Sequence, residues 1–241
     1  MSVNAAIVIA YRDMGDPDRA ASYDAIIRHY ARMMPDKIIV SHGVSDDTFT
    51  RASAINAGVR LAQHRVILQV DPDSYVTHDQ ARIAVESARK APGLVVAFTD
   101  YCYLSRRATE TFRPRIRSGE NPPMPPYVPP SLCDEFGRGG VGNVVAFSRE
   151  TWRLCRGFDE RFPLWGGDDA VFAYSAEAMT GTPARRVEGN MYHLWHPRLP
   201  ASDPLHPGYA AQFEIVAQYR DAAAIGPDAV RALVESRPPV D

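Results

Sequence analysis

Short apolar runs alternate with amphipathic segments up to about residue 100, and this alternation leaves few folds open to the chain. After helix-start signals such as Asp16 followed by Pro17, apolar residues recur at helical spacing. Strands that are apolar throughout and alternate with helices predict a parallel sheet covered on both faces, so the fold class is α/β. The predicted strands are AAIVIAY (5–11), KIIV (37–40), RVILQV (65–70) and GLVVAFTDYCYL (93–104).

The second half of the chain is less regular. A proline-rich segment, RSGENPPMPPYVPPS (117–131), predicts an extended loop, because proline interrupts helices and central strands. GNVVAFS (142–148) predicts a further strand, and RETWRLCR, DDAVFAYSAEAM and the tail from Gly208 to Glu235 predict helices. We expect one domain over 1–241, with a nucleotide-binding half to about residue 100, a second half over about 101–200 and a helical tail over 201–241.

Composition excludes several classes of protein. A chain of 241 residues that is 45% hydrophobic can bury one large core. Its 27 basic and 29 acidic side chains give a net charge of -2, so no global field attracts nucleic acid or an anionic membrane. The three cysteines form no CxxC pair, which favours reduced thiols. With no apolar run of about 20 residues and no leader-like N-terminus, these features predict a cytoplasmic protein.

Carboxylates and histidines form a candidate metal site. Asp71 and Asp73 follow the third predicted strand, and ligands of open parallel sheets bind beyond the carboxyl ends of strands. An Asp-Pro-Asp sequence is also common in ordinary turns, so this pair alone does not identify a metal site. His193 and His196, in NMYHLWHP, add imidazole ligands of a kind that a Mn-like ion accepts, although a buried aromatic cluster is the alternative.

The segment PLWGGDDAVF (163–172) places two adjacent carboxylates behind a Trp-Gly-Gly turn. Asp168 or Asp169 is a candidate helix cap, because aspartate accepts hydrogen bonds from free backbone N–H groups. The alternative is a catalytic carboxylate. Gly166 and Gly167 would let the backbone approach a ligand closely, and Trp165 would offer it an apolar face. A buried Trp165 in a plain loop is the competing interpretation.

Together these segments resemble the inverting GT-A glycosyltransferases, especially the region shared by beta-1,4-galactosyltransferases and polypeptide N-acetylgalactosaminyltransferases. The resemblance covers about residues 5–200 and is most specific from Gly139 to Phe172. It is carried by IVIAYRD, SDDTFTRASAINAGVRLA, VDPDSYV, GGVGNVVAFSRETWRLCRGFDERFPLWGGDDAVF and MYHLWH. It implies a GT-A fold, Rossmann-like with a mostly parallel sheet between helices, and a smaller acceptor-side subregion. The first strand departs from it, with Ala10 where the family usually has proline.

The resemblance also implies roles for individual residues. Asp169 matches the family's catalytic base, and Asp168 matches the acidic neighbour that holds sugar hydroxyls. Asp73 with His196 or His193 would hold Mn²⁺ or Mg²⁺, and His196 is preferred because it precedes Pro197. The implied donor is a nucleoside-diphosphate sugar, with UDP as the expected nucleotide. The implied donor-binding residues are Tyr11, Arg12, Asp13, Arg51, Asp71, Gly140, Trp165, Gly166 and Gly167.

Two other classes of function stay open at this point. A nucleotidyltransferase acting on sugar phosphates would carry a glycine-rich phosphate loop after the first strand, and YRDMGDPDRA does not provide one. A non-catalytic module that binds nucleotide sugars or carbohydrate would not need the carboxylates Asp71, Asp73 and Asp169 together with the two histidines. The sequence leaves the acceptor undetermined among a glycan, a lipid-linked sugar, a small molecule and a modified nucleic acid. It also leaves the oligomeric state open.

Overall fold

The computed structural model describes residues 5–34, 38–41, 49–120, 132–163, 166–197 and 207–240. Its strands are β1 (Ala5–Ala10), β2 (Ile38–Ser41), β3 (Val66–Val70), β4 (Ser74–Tyr75), β5 (Val95–Val96), β6 (Asp100–Leu104), β7 (Cys133–Arg138), β8 (Val144–Ser148), β9 (Arg185–Arg186) and β10 (Asn190–His193). Its helices are α1 (Pro17–Met33), α2 (Arg51–Leu61), α3 (His78–Lys90), α4 (Arg106–Ser118), α5 (Arg149–Leu154), α6 (Asp168–Thr180), α7 (Pro207–Ile225) and α8 (Pro227–Glu235).

The main sheet has the order β2-β1-β3-β8-β5-β9. β1 pairs in parallel with β2 and β3, in the register Ile7 opposite Ile38 and Leu68. β8 is antiparallel to both β3 and β5, and β5 is parallel to β9. Every residue of β1, β3 and β8 is buried, because helices cover the sheet. The structure confirms the predicted α/β class and the mostly parallel sheet.

The sequence predicts one strand over 93–104, and this prediction is wrong. The structure divides the segment between β5 in the main sheet and β6 in a smaller sheet of order β4-β10-β6-β7. The chain crosses between them at Thr99 and Asp100, whose N–H groups both donate to the carbonyl of Gly189, at 2.9 and 3.3 Å. The pattern itself changes there, from the fully apolar VVAF to the more polar DYCYL. The smaller sheet carries His193 at the end of β10.

Helix α4 and the proline-rich segment also differ from the prediction. α4 runs over Arg106–Ser118 and contains Pro114, so the first two residues of the predicted loop at 117–131 are helical. Ser105 caps the helix by accepting a hydrogen bond from the N–H of Ala108, and Gly119 ends it in the left-handed conformation. Residues 121–131 of the predicted loop lie outside the described residues.

The expectation of three reduced cysteines is wrong for two of them. Cys102 on β6 and Cys133 on β7 form a disulfide, with their Cα atoms 6.0 Å apart on neighbouring antiparallel strands. Cys155 is a buried thiol, and burial raises its pKa to about 12. The two bonded residues are 31 positions apart, and only the pairing of β6 with β7 brings them together. The cysteines therefore give no support to the predicted cytoplasmic location.

The C-terminal helices belong to the packed structure. A second apolar cluster joins α6 to α7 and α8, through residues such as Phe162, Val171, Tyr219 and Val234. The helices predicted between Gly208 and Glu235 are present as α7 and α8, and they support the helix on which Asp168 and Asp169 lie. Within the described residues, no helix combines the length and the apolar character needed to cross a bilayer.

Candidate functional site

The site lies where strands of the main sheet end. Asp71 and Asp73 follow β3, as the sequence predicts, in a tight turn closed by a hydrogen bond from the N–H of Ser74 to the carbonyl of Asp71 (3.1 Å). The N–H of Asp71 also donates to the carbonyl of Asn143, at 2.7 Å. Asn143 has a φ of +65°, a conformation that few residues other than glycine adopt. The turn is thereby fixed to the start of β8.

Asp73 faces the two predicted histidines. Its carboxylate oxygens lie 3.4 Å from Nε2 of His193 and 3.2 Å from Nε2 of His196. One ligating atom of each residue lies within 4.8 Å of the other two. The backbone holds this geometry, because the N–H of Leu194 donates to the carbonyl of Asp73 at 2.8 Å. We call Asp73, His193 and His196 the Asp-His-His triad.

The donor atoms of the triad suit a divalent cation. Burial alone would raise the pKa of Asp73, but the facing imidazoles of His193 and His196 hold it well below its usual range. The carboxylate is therefore ionised and ready to bind a cation. One carboxylate oxygen and two imidazole nitrogens are a mixed set that fits Mn²⁺ better than Mg²⁺, which prefers oxygen ligands alone.

Each histidine of the triad has its own support. The Nδ1 atom of His196 lies 2.9 Å from the carbonyl oxygen of Pro197 and 3.3 Å from a guanidinium nitrogen of Arg19, so Nε2 is the atom that faces Asp73. The ring of His193 stacks on Tyr103, with centroids 4.4 Å apart. Both histidines thus turn Nε2 towards Asp73, and the geometry does not distinguish the preferred His196 from His193.

Arg19 is a residue of the site that the sequence analysis missed. It lies in the first turn of α1, where Asp16 caps the helix by accepting a hydrogen bond from the N–H of Arg19 at 2.8 Å. Its guanidinium contributes to lowering the pKa of Asp73 and of His193, although burial is the larger cause for His193. The sequence contains one signal that could have indicated Arg19, the predicted start of α1 shortly after β1. The first turn of such a helix lies near the carboxyl end of the strand, where the site is.

A second group of charges lies beside the triad, around Arg51. The guanidinium of Arg51 donates to Asp71 at 2.7 and 2.9 Å, to Asp168 at 2.5 Å and to Asp169 at 2.9 Å. Gln69 also donates to Asp71, at 2.8 Å. We call Arg51 with these three aspartates the Arg51 cluster. The two aspartates of the Asp-Pro-Asp turn therefore have different partners, and only Asp73 belongs to the triad.

The aspartates of α6 do not cap the helix through their side chains. The N-cap residue is Gly167, which has a φ of +101° and no side-chain hydrogen bond. Asp168 and Asp169 are the first two residues of the helix, where the positive end of the helix dipole favours negative charge. Their carboxylates turn to Arg51 instead. The capping interpretation of these two side chains is therefore wrong.

The two glycines before α6 have different surroundings. A Cβ atom on Gly167 would lie 2.7 Å from Val216 and 2.8 Å from Phe162, so a side chain has no room there. Gly166, with a φ of +98°, has no other heavy atom within 4 Å of such a Cβ position. Gly167 thus has a packing role, and Gly166 leaves open space beside the carboxylates. Trp165 lies outside the described residues.

Asp168 and Asp169 differ in exposure. The side chain of Asp168 is 3% exposed and that of Asp169 is 23% exposed. Burial raises the pKa of Asp169 to about 7, with the charge of Arg51 opposing this and the carboxylates of Asp168 and Asp71 adding to it. Burial also raises the pKa of Asp71. Asp169 is therefore the accessible member of the pair, and its pKa suits a group that exchanges protons near neutral pH.

The loop before β8 contacts these carboxylates. A Cβ atom on Gly142 would lie 2.2 Å from Oδ2 of Asp169, so Asp169 occupies the space that a side chain would need. Nearby, Arg186 on β9 donates to the carbonyls of Gly139 and Gly140, each at 2.8 Å. Hydrogen bonds from Arg186 thus fix the turn that contains Gly140, two residues before the Gly142 that contacts Asp169.

The predicted nucleotide contacts lie beyond β1. Tyr11 stacks on Tyr23 with centroids 3.7 Å apart, and Arg12 lies over the ring of Phe49 at 5.9 Å. Asp13 accepts a hydrogen bond from the N–H of Gly15 at 2.9 Å. Arg12 and Asp13 are exposed. Residues 42–48, which follow β2, lie outside the described residues.

Comparisons with solved structures agree on one architecture. The catalytic domain of Drosophila beta-1,4-galactosyltransferase 7, in complex with xylobiose, is similar with a TM-score of 0.57 and 16% identity, over 87% of this chain and 79% of that chain. Glucosyl-3-phosphoglycerate synthase from Mycobacterium tuberculosis, in complex with Mn²⁺, UDP-glucose and phosphoglyceric acid, is similar with a TM-score of 0.51 and 14% identity, over 93% and 80%. The chain has the GT-A fold.

The sequence of this chain is only distantly similar to the sequences of these two proteins. No protein-family model matches the sequence, and no curated protein is significantly similar to it. The fold therefore confirms the predicted class and the resemblance drawn from the motifs. The activity must be argued from the residues of the site.

Proposed function

We propose that this protein is a metal-dependent inverting glycosyltransferase that moves a sugar from a UDP donor to an acceptor hydroxyl. The observation that carries the proposal is the turn Asp71-Pro72-Asp73, which joins the two parts of the site. Asp73 belongs to the Asp-His-His triad, and Asp71 belongs to the Arg51 cluster together with Asp169. This one turn at the carboxyl end of β3 would thus connect the two functions, because Asp73 faces the histidines and Asp71 shares Arg51 with Asp169.

The triad would hold the cation and, through it, the donor. Asp73, His193 and His196 would be the protein ligands of Mn²⁺, with positions left for diphosphate oxygens. When bound, the cation would offset the negative charge that the leaving diphosphate gains. Arg19, 3.3 Å from His196, adds a second positive charge on the same side of the site. This arrangement favours departure of the nucleoside diphosphate.

Asp169 would be the general base. Inverting transfer is a single in-line displacement, in which the acceptor oxygen bonds to the anomeric carbon as the bond to the diphosphate breaks. The acceptor proton passes to Oδ of Asp169, whose pKa of about 7 makes it a proton acceptor near neutral pH. Arg51 and the first turn of α6 hold that carboxylate in place, and Asp168 would bind a sugar hydroxyl.

The remaining predicted donor contacts form part of the proposal. Tyr11, Arg12 and Asp13 would contact the nucleotide beyond β1, while Gly140 and Gly166 would let the backbone approach the donor sugar. Arg51 would orient the carboxylates to which it donates and would contact the donor from α2. The acceptor is a hydroxyl on a glycan, a lipid-linked sugar, a small molecule or a modified nucleic acid.

Turnover of nucleotide sugars tests the proposal. The protein is incubated with a panel of UDP, GDP and dTDP sugars in Mn²⁺, and released nucleoside diphosphate and pyrophosphate are measured separately. We expect release of UDP, by transfer or by slow hydrolysis, and its loss in the Asp73→Ala variant. Asp79→Ala, on the exposed face of α3, is the matched control. In a parallel incubation with nucleoside triphosphates and sugar 1-phosphates, release of pyrophosphate would support a nucleotidyltransferase instead. Donor binding without turnover would support a non-catalytic module.

A further inference from the structure

Arginines are concentrated on two neighbouring helices. α1 and α4 together carry eight arginines and three acidic residues. The whole chain has 27 basic and 29 acidic residues, so these two helices are basic in a protein of slightly negative net charge. The helices pack against each other, and Arg32 of α1 donates to the carbonyl of Ile116 near the end of α4, at 3.4 Å. This contact ties the end of α1 to the end of α4.

Between these helices lies a cavity of about 730 Å³. Its walls include Asp24 and Arg28 of α1 and Arg113, Pro114 and Arg117 of α4, and we call it the α1–α4 groove. It is a half-open groove rather than an enclosed pocket, which suits a small charged group held near the surface. Of the charged residues that line it, three are arginines and one is an aspartate.

The acidic side chains here are too few for the guanidinium groups. Asp24 is shared between Arg28, at 2.8 Å, and Arg117, at 2.7 Å. Asp18, further along α1, is likewise shared between two arginines of α4, Arg113 at 3.3 Å and Arg106 at 3.4 Å. Arg106 also pairs with Glu110, at 3.5 Å, so the excess of positive charge lies with Arg28 and Arg117, which have Asp24 between them.

The exposure of these side chains makes them available to a ligand. Arg28 is 52% exposed and Arg117 is 59% exposed, and ion pairs at such positions are weak. A phosphate group carries more charge than the single carboxylate that the two arginines share. It also accepts paired hydrogen bonds from the planar guanidinium fork. A phosphate bound here would therefore neutralise more of the charge of Arg28 and Arg117, and accept more of their hydrogen bonds, than Asp24 does alone.

The groove is separate from the metal-binding triad. Arg19 contacts His196, and Arg28 lies nine residues further along α1, which is about 13 Å at 1.5 Å per residue. The diphosphate of a donor at the triad would not reach it. We propose that the α1–α4 groove is an anion site for a phosphate ester, bound between Arg28 and Arg117 with Arg113 at its inner wall. This site does not depend on the proposed transferase activity.

Binding experiments with matched variants test the site. The probes are inorganic phosphate and glycerol 3-phosphate, measured by titration calorimetry at low salt, and vesicles of phosphatidylcholine with and without phosphatidylglycerol, measured by co-sedimentation. The groove variant is Arg28→Gln with Arg117→Gln. The control is Arg82→Gln with Arg89→Gln, which removes two arginines of similar exposure, 59% and 50%, from α3.

The arms distinguish a soluble phosphate ester from a lipid headgroup. We expect the wild type and the control to bind phosphate, glycerol 3-phosphate or the anionic vesicles, with binding lost in high salt and weakened about tenfold or more in the groove variant. Binding to the soluble probes alone identifies a soluble ester, and binding to anionic vesicles identifies a headgroup. Equal binding by the groove variant and the wild type, or no binding of any probe by the wild type, would overturn the proposal.

Discussion

Replacing Gly142 by alanine tests whether the position of Asp169 matters for turnover. The new Cβ would lie 2.2 Å from Oδ2 and 2.7 Å from Cγ of Asp169. A carbon and an oxygen in contact are ordinarily about 3.3 Å apart, so the carboxylate must move by about 1 Å. The φ of Gly142 is not in the left-handed region, and alanine fits the backbone without strain. A displacement of this size in a catalytic group costs about 100-fold in rate.

The assay is the kcat for release of nucleoside diphosphate, measured together with Mn²⁺ affinity. We expect the Gly142→Ala variant to lose about 100-fold in kcat and to bind Mn²⁺ as the wild type does, because its new atom does not approach the Asp-His-His triad. In the Asp169→Ala background the clashing oxygen is absent, so Gly142→Ala should cause no further loss. A wild-type kcat in the folded single variant would refute the reasoning, and a further loss in the double variant would show that the substitution acts elsewhere.

Three other predictions concern the charged residues of the site. Asp169→Asn should retain donor and Mn²⁺ binding yet lose roughly 10²–10⁴-fold in kcat, and the rise of the wild-type rate with pH near 7 should disappear. The same variant tests stability, because the pKa of Asp169 is raised from 3.8 to about 7 in the folded state. The free energy of unfolding of the wild type should therefore fall as the pH rises between these values, and that of Asp169→Asn should fall less. Urea unfolding across this pH range measures both. Arg51→Met should lower the free energy of unfolding by about 3 kcal/mol, because it leaves the buried carboxylates around it without a counter-charge; an unchanged unfolding midpoint at pH 7 would contradict this.

The first half of the fold could be predicted because local patterns specify it. β1 is apolar throughout and β3 is apolar except for Gln69, and both are buried strands of the main sheet, as their patterns predict. The second half depends on contacts between distant residues. The pattern of the segment 93–104 predicts one strand. In the structure, the N–H groups at its middle donate to the carbonyl of Gly189, at the point where the chain passes from one sheet to the other. Similarly, Cys102 and Cys133 become neighbours only through the pairing of β6 with β7.

The site could be predicted where residue type and strand position coincide. Asp73, His193 and His196 meet as expected, since a carboxylate and imidazoles near strand ends are chemically recognisable. The partners of Arg51 could not be predicted in the same way. Asp71 and Asp168 are 20 and 117 residues from it, and an arginine at a helix start has no local signal of such contacts. Arg19 was missed for the same reason, because its neighbour His196 is 177 residues away.

The packing of α6 against the C-terminal helices also bears on the order in which the protein matures during synthesis. The strands β1 to β3 and the ligands of the triad are all made before residue 200. The residues that cover Phe162 and Val171, including Tyr219 and Val234, are made later. The contacts that hold α6 in place can therefore form only after the strands that position Asp73 and His193 have been made. The helix that carries Asp168 and Asp169 would be the last part of the site to become rigid during synthesis.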